Sequence, residues 1–176
     1  MKLLFSALIG GILLFAWSSI SWMVLPWHNA TFKGFTNEMT VTAAMTEGST
    51  SPGVYLLPNL HDGKGDDSAA AKYKGPFAFI LWSRNGCGNM GSKMLTAFLE
   101  NVLTAFVAAW LLSLTGIRSF GKRLLFVVGL GLFAALAVEV PNMIWWGFSR
   151  EFTTVTVADL LIAWGLAGTA IAKIAP

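Results

Sequence analysis

Residues 124–148 read LLFVVGLGLFAALAVEVPNMIWWGF, and this run carries a single ionisable side chain, Glu139. A helix needs about 20 predominantly apolar residues to cross the hydrocarbon core of a bilayer, and the run is longer than that. Three more stretches meet the same requirement: Leu3 to Leu25, Ser92 to Leu114 and Val155 to Ile174. Across the whole chain 55% of residues are hydrophobic and 12% charged. Soluble domains carry roughly 25% charged residues, and a fold of this size has too little interior to hide so much apolar surface. The expected fold is an all-α integral membrane protein: a four-transmembrane-helix bundle with a small external α+β insertion between helices 1 and 2.

The domain reading follows from those spans. Residues 1–26 form the first helix, 27–91 an external segment, and 92–176 the other three helices (92–114, 124–148 and 155–174), with a turn from Ser149 to Thr154 between the last two. Lys2 followed by Leu3 to Ala16 has the outline of a secretory signal. However, no Asp, Glu, Lys or Arg occurs from Leu3 to Phe32, and Trp17, Trp22 and Trp27 prolong the apolar run, so an uncleaved anchor is expected. Within the external segment, Asn37 to Glu47 reads as a short helix with Asn37 as its N-cap and Gly48 just past its end. Residues 53–58 and 76–83, rich in Val, Tyr, Phe, Ile and Leu, are expected to pair as an antiparallel hairpin. Asn59 to Gly75, dominated by Gly, Asp, Lys and Ala, is expected to be a mobile tip.

Arg118, Lys122 and Arg123 lie between the second and third spans, and Lys2 and Lys173 at the chain ends, so all five fall on one side. Basic residues in short loops mark the cytoplasmic face. Both termini are therefore expected in the cytoplasm and residues 27–91 outside.

Charged groups inside spans carry the functional signal, because each costs at least about 2.5–3.5 kcal/mol near the bilayer centre. There are three: Glu100, Glu139 and Asp159. By helical rise they lie roughly 12, 13 and 6 Å inside the outer ends of their helices, all in the outer half of the membrane. Thr96, Glu100 and Thr104 form a stripe with Asn101 beside it, and Glu139, Asn142 and Trp146 align on the third span. Pro141 lacks an amide proton and should disturb the turn next to Glu139. His28, at the outer end of the first helix, is expected at the rim of the same pocket. Lys93 and Arg150 are the nearest basic residues in sequence. If the three carboxyls converge, they need counter-charges, protonation or a shared cation. A purely structural alternative pairs them with each other, with hydroxyls or with water. The candidate ligand- or ion-binding set is thus Glu100, Asn101, Glu139, Asn142, Asp159 and His28.

Several other functions find no support. The basic residues form no aromatic-interleaved patch, so nucleic acid is not an expected partner. His28 and His61 are the only histidines and Cys87 the only cysteine, no Glu-x-x-His pattern occurs, and no metal site is assigned. His61 and Asp62 near Asp66 and Asp67 read as a solvated loop rather than a cation site. No phosphate-binding glycine motif is present, and any cofactor stays unassigned. On the first helix Ala7, Gly11, Ser18 and Ser21 share one face and read as a packing seam. Trp22, Trp27, Trp145 and Trp146 read as an interfacial belt or, alternatively, as walls of a lipid or quinone pocket.

The stretches SWMVLPWHN (21–29), GVYLLP (53–58), GPFAF (75–79) and WWGF (145–148) resemble a group of small uncharacterised bacterial inner-membrane proteins. The resemblance spans most of the chain and implies a bacterial inner-membrane location, but no activity. Three readings stand: a non-enzymatic accessory or small-ligand-binding component that presents its external segment to a protein partner; an ion- or proton-coupled transporter component, with homo-oligomerisation needed for a full pathway; and an enzyme acting on a lipid or quinone.

The orientation is checked at Cys87, the single thiol. A membrane-impermeant maleimide is expected to label it in intact spheroplasts, and labelling confined to lysed cells would reverse the topology.

Overall fold

Four helices are long and apolar enough to cross a membrane, and small side chains decide how they meet. The computed structural model describes residues 1–59 and 74–176. It divides into two units, one made of Met1–Phe32 with Asn89–Pro176 and the other of Lys33–Gly88. The first unit holds α1 (Lys2–Met23), a 3-10 turn (Asn29–Thr31) and three further long helices. The second holds α2 (Glu38–Gly48), β1 (Gly53–Leu57) and β2 (Ala78–Trp82). In the first unit α3 spans Met90–Ser113, α4 Phe120–Trp146 and α5 Arg150–Ile174.

Helix α1 packs on α3 and α5, and α4 packs on α5. Close approach at glycine makes these contacts, as expected for helices that cannot gain from hydrophobic exclusion inside lipid. A Cβ built on Gly11 would fall 2.6 Å from the Val102 Cα, and one on Gly10 2.9 Å from Ile171. On the opposite side, a Cβ on Gly131 would fall 2.5 Å from the Trp164 ring, and one on Gly168 3.0 Å from Leu124. The core between them is built largely of alanine, with Ala105, Ala109, Ala135 and Ala167 fully buried beside Leu112, Val127 and Ile171. Larger apolar side chains such as Leu103, Leu125, Phe133 and Ile144 face outward and are exposed, the inverse of a soluble fold.

The expected seam on α1 is present in part. Ala7, Gly11 and Ser21 are buried, Gly10 joins them, and Ser18 is only half-buried. The end of α4 and the start of α5 differ from the expected turn at Ser149 to Thr154. Gly147 adopts a left-handed φ of 75° and its N–H bonds back to the Asn142 carbonyl, which stops α4 at Trp146. Ser149 then caps α5, its hydroxyl accepting the Phe152 N–H at 3.1 Å. Helix α5 therefore starts at Arg150, five residues before the expected Val155. The β-branched Thr153, Thr154 and Val155 weaken a sequence-based helix reading, but the cap and the packing on α4 outweigh that cost.

Arg123, used above only as a marker of topology, closes the other end of α5. Its guanidinium donates to the carbonyls of Ala172 at 2.8 Å and Ala175 at 2.6 Å, and also to Ile117 at 3.1 Å. These are carbonyls for which a helix end offers no amide partner, and the positive charge suits the negative end of the dipole.

In the second unit the Asn37 side chain accepts the Thr40 N–H at 3.0 Å and so caps α2. Strands β1 and β2 pair antiparallel, Gly53 opposite Trp82 and Leu57 opposite Ala78. Arg84 donates to the carbonyls of Thr46 and Ser49, tying the end of α2 to the chain after β2. Residues 60–73 of the expected mobile tip, with His61, Asp62, Asp66 and Asp67, lie outside the described residues.

Glycine pairs on α4 and α5 test the close-approach argument. Gly131→Ala is expected to lower the thermal midpoint in detergent, at a cost of about 1–3 kcal/mol for overpacking. Gly129 and Gly165 have nothing within 4 Å of a built Cβ. At these positions alanine is expected to be neutral or stabilising by up to about 1 kcal/mol. Equal effects at all three positions would refute it.

Candidate functional site

All three intramembrane carboxyls line one cavity of about 520 Å³. Its wall draws on four helices: Trp17, Ser18 and Trp22 from α1, Glu100, Asn101 and Thr104 from α3, Glu139 from α4, and Thr156, Asp159 and Trp164 from α5. Helix geometry accounts for the clustering. Trp17 and Ser18 lie five and four residues before Trp22, Glu100 and Asn101 four and three before Thr104, and Thr156, Asp159 and Ala163 follow one another at intervals of three and four.

Asp159 is the best-anchored of the three, 8% exposed. Trp17 Nε1 donates to its Oδ1 at 2.6 Å, and His28 Nε2 lies 3.3 Å from its Oδ2. The same Nε2 lies 3.1 Å from Ser21 Oγ, which accepts the Trp27 Nε1 proton at 2.9 Å. His28 itself is buried, 1% exposed. Its ring stacks on Trp22 with centroids 3.8 Å apart and planes 9° from parallel, while Trp27 meets it edge-on. A carboxylate accepts only, so Nε2 carries a proton directed at Asp159 and Ser21. Nδ1 is buried with no partner among the described residues.

His28 thus stands behind the wall rather than at the rim where the sequence reading put it. The reason is the 3-10 turn at Asn29–Thr31, reinforced by Thr31 Oγ1 donating to the His28 carbonyl at 2.7 Å, which folds the chain back over the end of α1. Trp22 and Trp27, expected as belt anchors, hold that histidine between them.

Glu100 and Glu139 are freer. Thr104 Oγ1 lies 2.8 Å from Glu100 Oε1 and 2.9 Å from the Glu100 carbonyl, and Glu139 is half-buried. Asn101 Nδ2 donates to the Ala97 carbonyl at 2.7 Å. Asn142 does not line the cavity, although it is three residues beyond Glu139; its carbonyl instead receives the amides that end α4. Neither Lys93 nor Arg150 reaches the cavity, and no basic side chain among the described residues lines it.

No family model, curated protein or solved structure matches this chain.

Geometry nonetheless discriminates between chemistries. Ser21, His28 and Asp159 are the residue types of a hydrolytic triad, but a triad places serine and carboxylate on opposite ring nitrogens. Here both meet Nε2, so the imidazole has no path for relaying a proton from serine. The cavity hydroxyls are also committed: Ser18 donates to the Phe15 carbonyl at 3.1 Å and Thr156 to the Phe152 carbonyl at 3.0 Å. Among the described residues no group of three or more His, Cys, Asp and Glu side chains is close enough to hold a metal ion. The carboxyls share a cavity without sharing a point, which suits a polyatomic occupant.

Trp17, Trp164 and Ser21 were not singled out by sequence as parts of a site. For Trp17 a signal existed: an indole one turn or more inside a span must find an acceptor for its N–H.

A double-mutant cycle tests the Asp159 anchor. Trp17→Phe and Asp159→Asn are each expected to destabilise the detergent-solubilised protein, with a coupling energy of about 0.5–2 kcal/mol. Additive effects in chemical denaturation would show that the bond contributes nothing.

Proposed function

We propose that the chain is a multi-pass bacterial inner-membrane protein that binds a small organic cation in its intramembrane cavity, as a non-enzymatic ligand-binding component. The observation that carries this reading is the lining of the cavity, three carboxyls and three indoles with no basic side chain among the described residues. An indole face attracts a cation through its quadrupole, by about 0.5–2 kcal/mol and more strongly when desolvated, and a carboxylate adds a full charge. A protonated amine or quaternary ammonium satisfies both. An anion would meet repulsion from every side, and a neutral quinone would leave the carboxyls without compensation.

The setting supports a membrane location. The long helices expose their large apolar residues, and the sequence motifs resemble those of bacterial inner-membrane proteins. The five basic residues on one side support cytoplasmic termini, with residues 27–91 external and available to a protein partner.

One observation favours a second reading, a proton-coupled transporter component. Asp159 faces the cavity and also touches His28, so a cation bound at Asp159 competes with the imidazole for the same carboxylate. Release of that contact couples ligand occupancy to the hydrogen bonding of His28. A full pathway then requires more than one copy of the chain.

Quenching of tryptophan emission in purified protein tests the cation reading, with choline compared against its neutral isostere 3,3-dimethyl-1-butanol. Choline is expected to quench saturably and the alcohol not to. Glu100→Gln and Glu139→Gln should each weaken binding about tenfold, the equivalent of about 1.4 kcal/mol. Equal binding of the two probes, or unchanged affinity in both variants, would sink the proposal.

A further inference from the structure

A second recess lies between α4 and α5, away from the acidic cavity, and its character is the opposite. It is a groove of about 580 Å³ with Arg150, Thr153 and Thr154 at one end and Met143, Val157 and Leu161 along its length. Among the described residues no carboxylate lines it, not even Glu151 in the first turn of α5. The Arg150 guanidinium has no hydrogen bond or ion pair among the described residues. Beside it are the amides of Arg150 and Glu151, which have no carbonyl one turn earlier to bond. Ser149 already occupies the Phe152 amide. Thr153 supplies an independent sign of a missing ligand: it is 6% exposed, and its Oγ1 is buried without any partner. A polar atom buried in this way is rare and calls for an acceptor or donor, and Thr153 is part of the groove lining.

We infer that this groove holds an anionic phospholipid, its phosphate at Arg150 and the start of α5 and an acyl chain along Val157 and Leu161. Charge complementarity selects the headgroup, since an unpaired guanidinium, free helix amides and a spare hydroxyl are all suited to phosphate oxygens. The gradient along the helix selects a lipid over a soluble anion. From Arg150 to Leu161 is roughly 16 Å at the helical rise, polar at the helix end and apolar beyond it, as an acyl chain beneath a headgroup requires. The inference goes beyond the cation reading and does not depend on it. Arg150, Thr154, Val157 and Leu161 lie on a different face of α5 from Thr156, Asp159 and Ala163, which serve the cavity.

Native mass spectrometry of the full chain, purified from nanodiscs containing equal phosphatidylglycerol and phosphatidylcholine of identical chains, reads the selectivity directly. Wild-type protein is expected to retain phosphatidylglycerol about fivefold over phosphatidylcholine. Arg150→Gln and Thr153→Val should each reduce that ratio, and Arg150→Lys should keep part of it, with helical circular dichroism unchanged in all three. Excess inorganic phosphate should not displace the lipid. A wild-type ratio near one, a ratio indifferent to both Arg150→Gln and Thr153→Val, or displacement by inorganic phosphate, which would mark a free-phosphate site, would each overturn the proposal.

Discussion

A carboxylate set among apolar helices must find donors, and Asp159 finds them on a helix far away in sequence. Trp17 reaches it from α1, and His28 reaches it from the turn that follows α1. Neither contact forms unless α1 and α5 lie close enough for an indole to bridge them. That approach is helped where Gly10 meets Ile171, a contact that an added Cβ would crowd at 2.9 Å. The glycine and the carboxylate are thus two parts of one constraint: the first sets how near the helices come, the second which rotation and height they adopt. In lipid, where apolar contact alone has little preference for register, a polar bond of this kind is a strong source of specificity.

The same constraint builds the site. Trp17 is held against Asp159 by its N–H, and Trp22 is held by stacking on His28, so two of the three indoles in the cavity are positioned by groups that also anchor the fold. Ser21 completes the arrangement by linking Trp27 to His28. Glu100 and Glu139 stand outside this network, with Glu100 met only by a threonine one turn along its own helix. The division suggests a distribution of roles. Asp159 is largely committed to structure, while the other two carboxyls retain unoccupied acceptor capacity for a ligand.

Much of this was legible in the sequence, and the boundary of what was legible follows the range of the forces. The four long helices were readable because lipid imposes length and polarity on each span independently. The three carboxyls were readable as one layer because depth along a helix can be counted residue by residue, and they do line one cavity. Asn142 shares a helix face with Glu139 by spacing yet does not line the cavity, because where the cavity ends along that face is set by the neighbouring helices. His28 was put at the rim because nothing local announces the 3-10 turn that buries it. The start of α5 was missed because β-branched residues lower helix propensity, whereas the Ser149 cap and packing on α4 act against that preference. Partners separated by more than a hundred residues, such as Trp17 and Asp159, leave no mark on local pattern.

Helix α5 shows why a second recess of opposite charge is compatible with the first. An α-helix exposes distinct faces at intervals of three and four residues, so Asp159 and Arg150 project toward different neighbours although they lie within one helix. In water their fields would be screened within about 8–10 Å, but in a bilayer they extend further. A guanidinium at the helix end is therefore an electrostatic neighbour of the carboxyl layer without being its partner. Held by a lipid phosphate, that guanidinium would have its charge offset where it stands and would not compensate the carboxyls across the helix. The cavity would then keep its negative potential for an incoming cation. On this argument the anionic lipid and the cationic ligand are complementary: the first leaves the acidic cavity uncompensated, and the second supplies the charge that Glu100 and Glu139 lack in the protein.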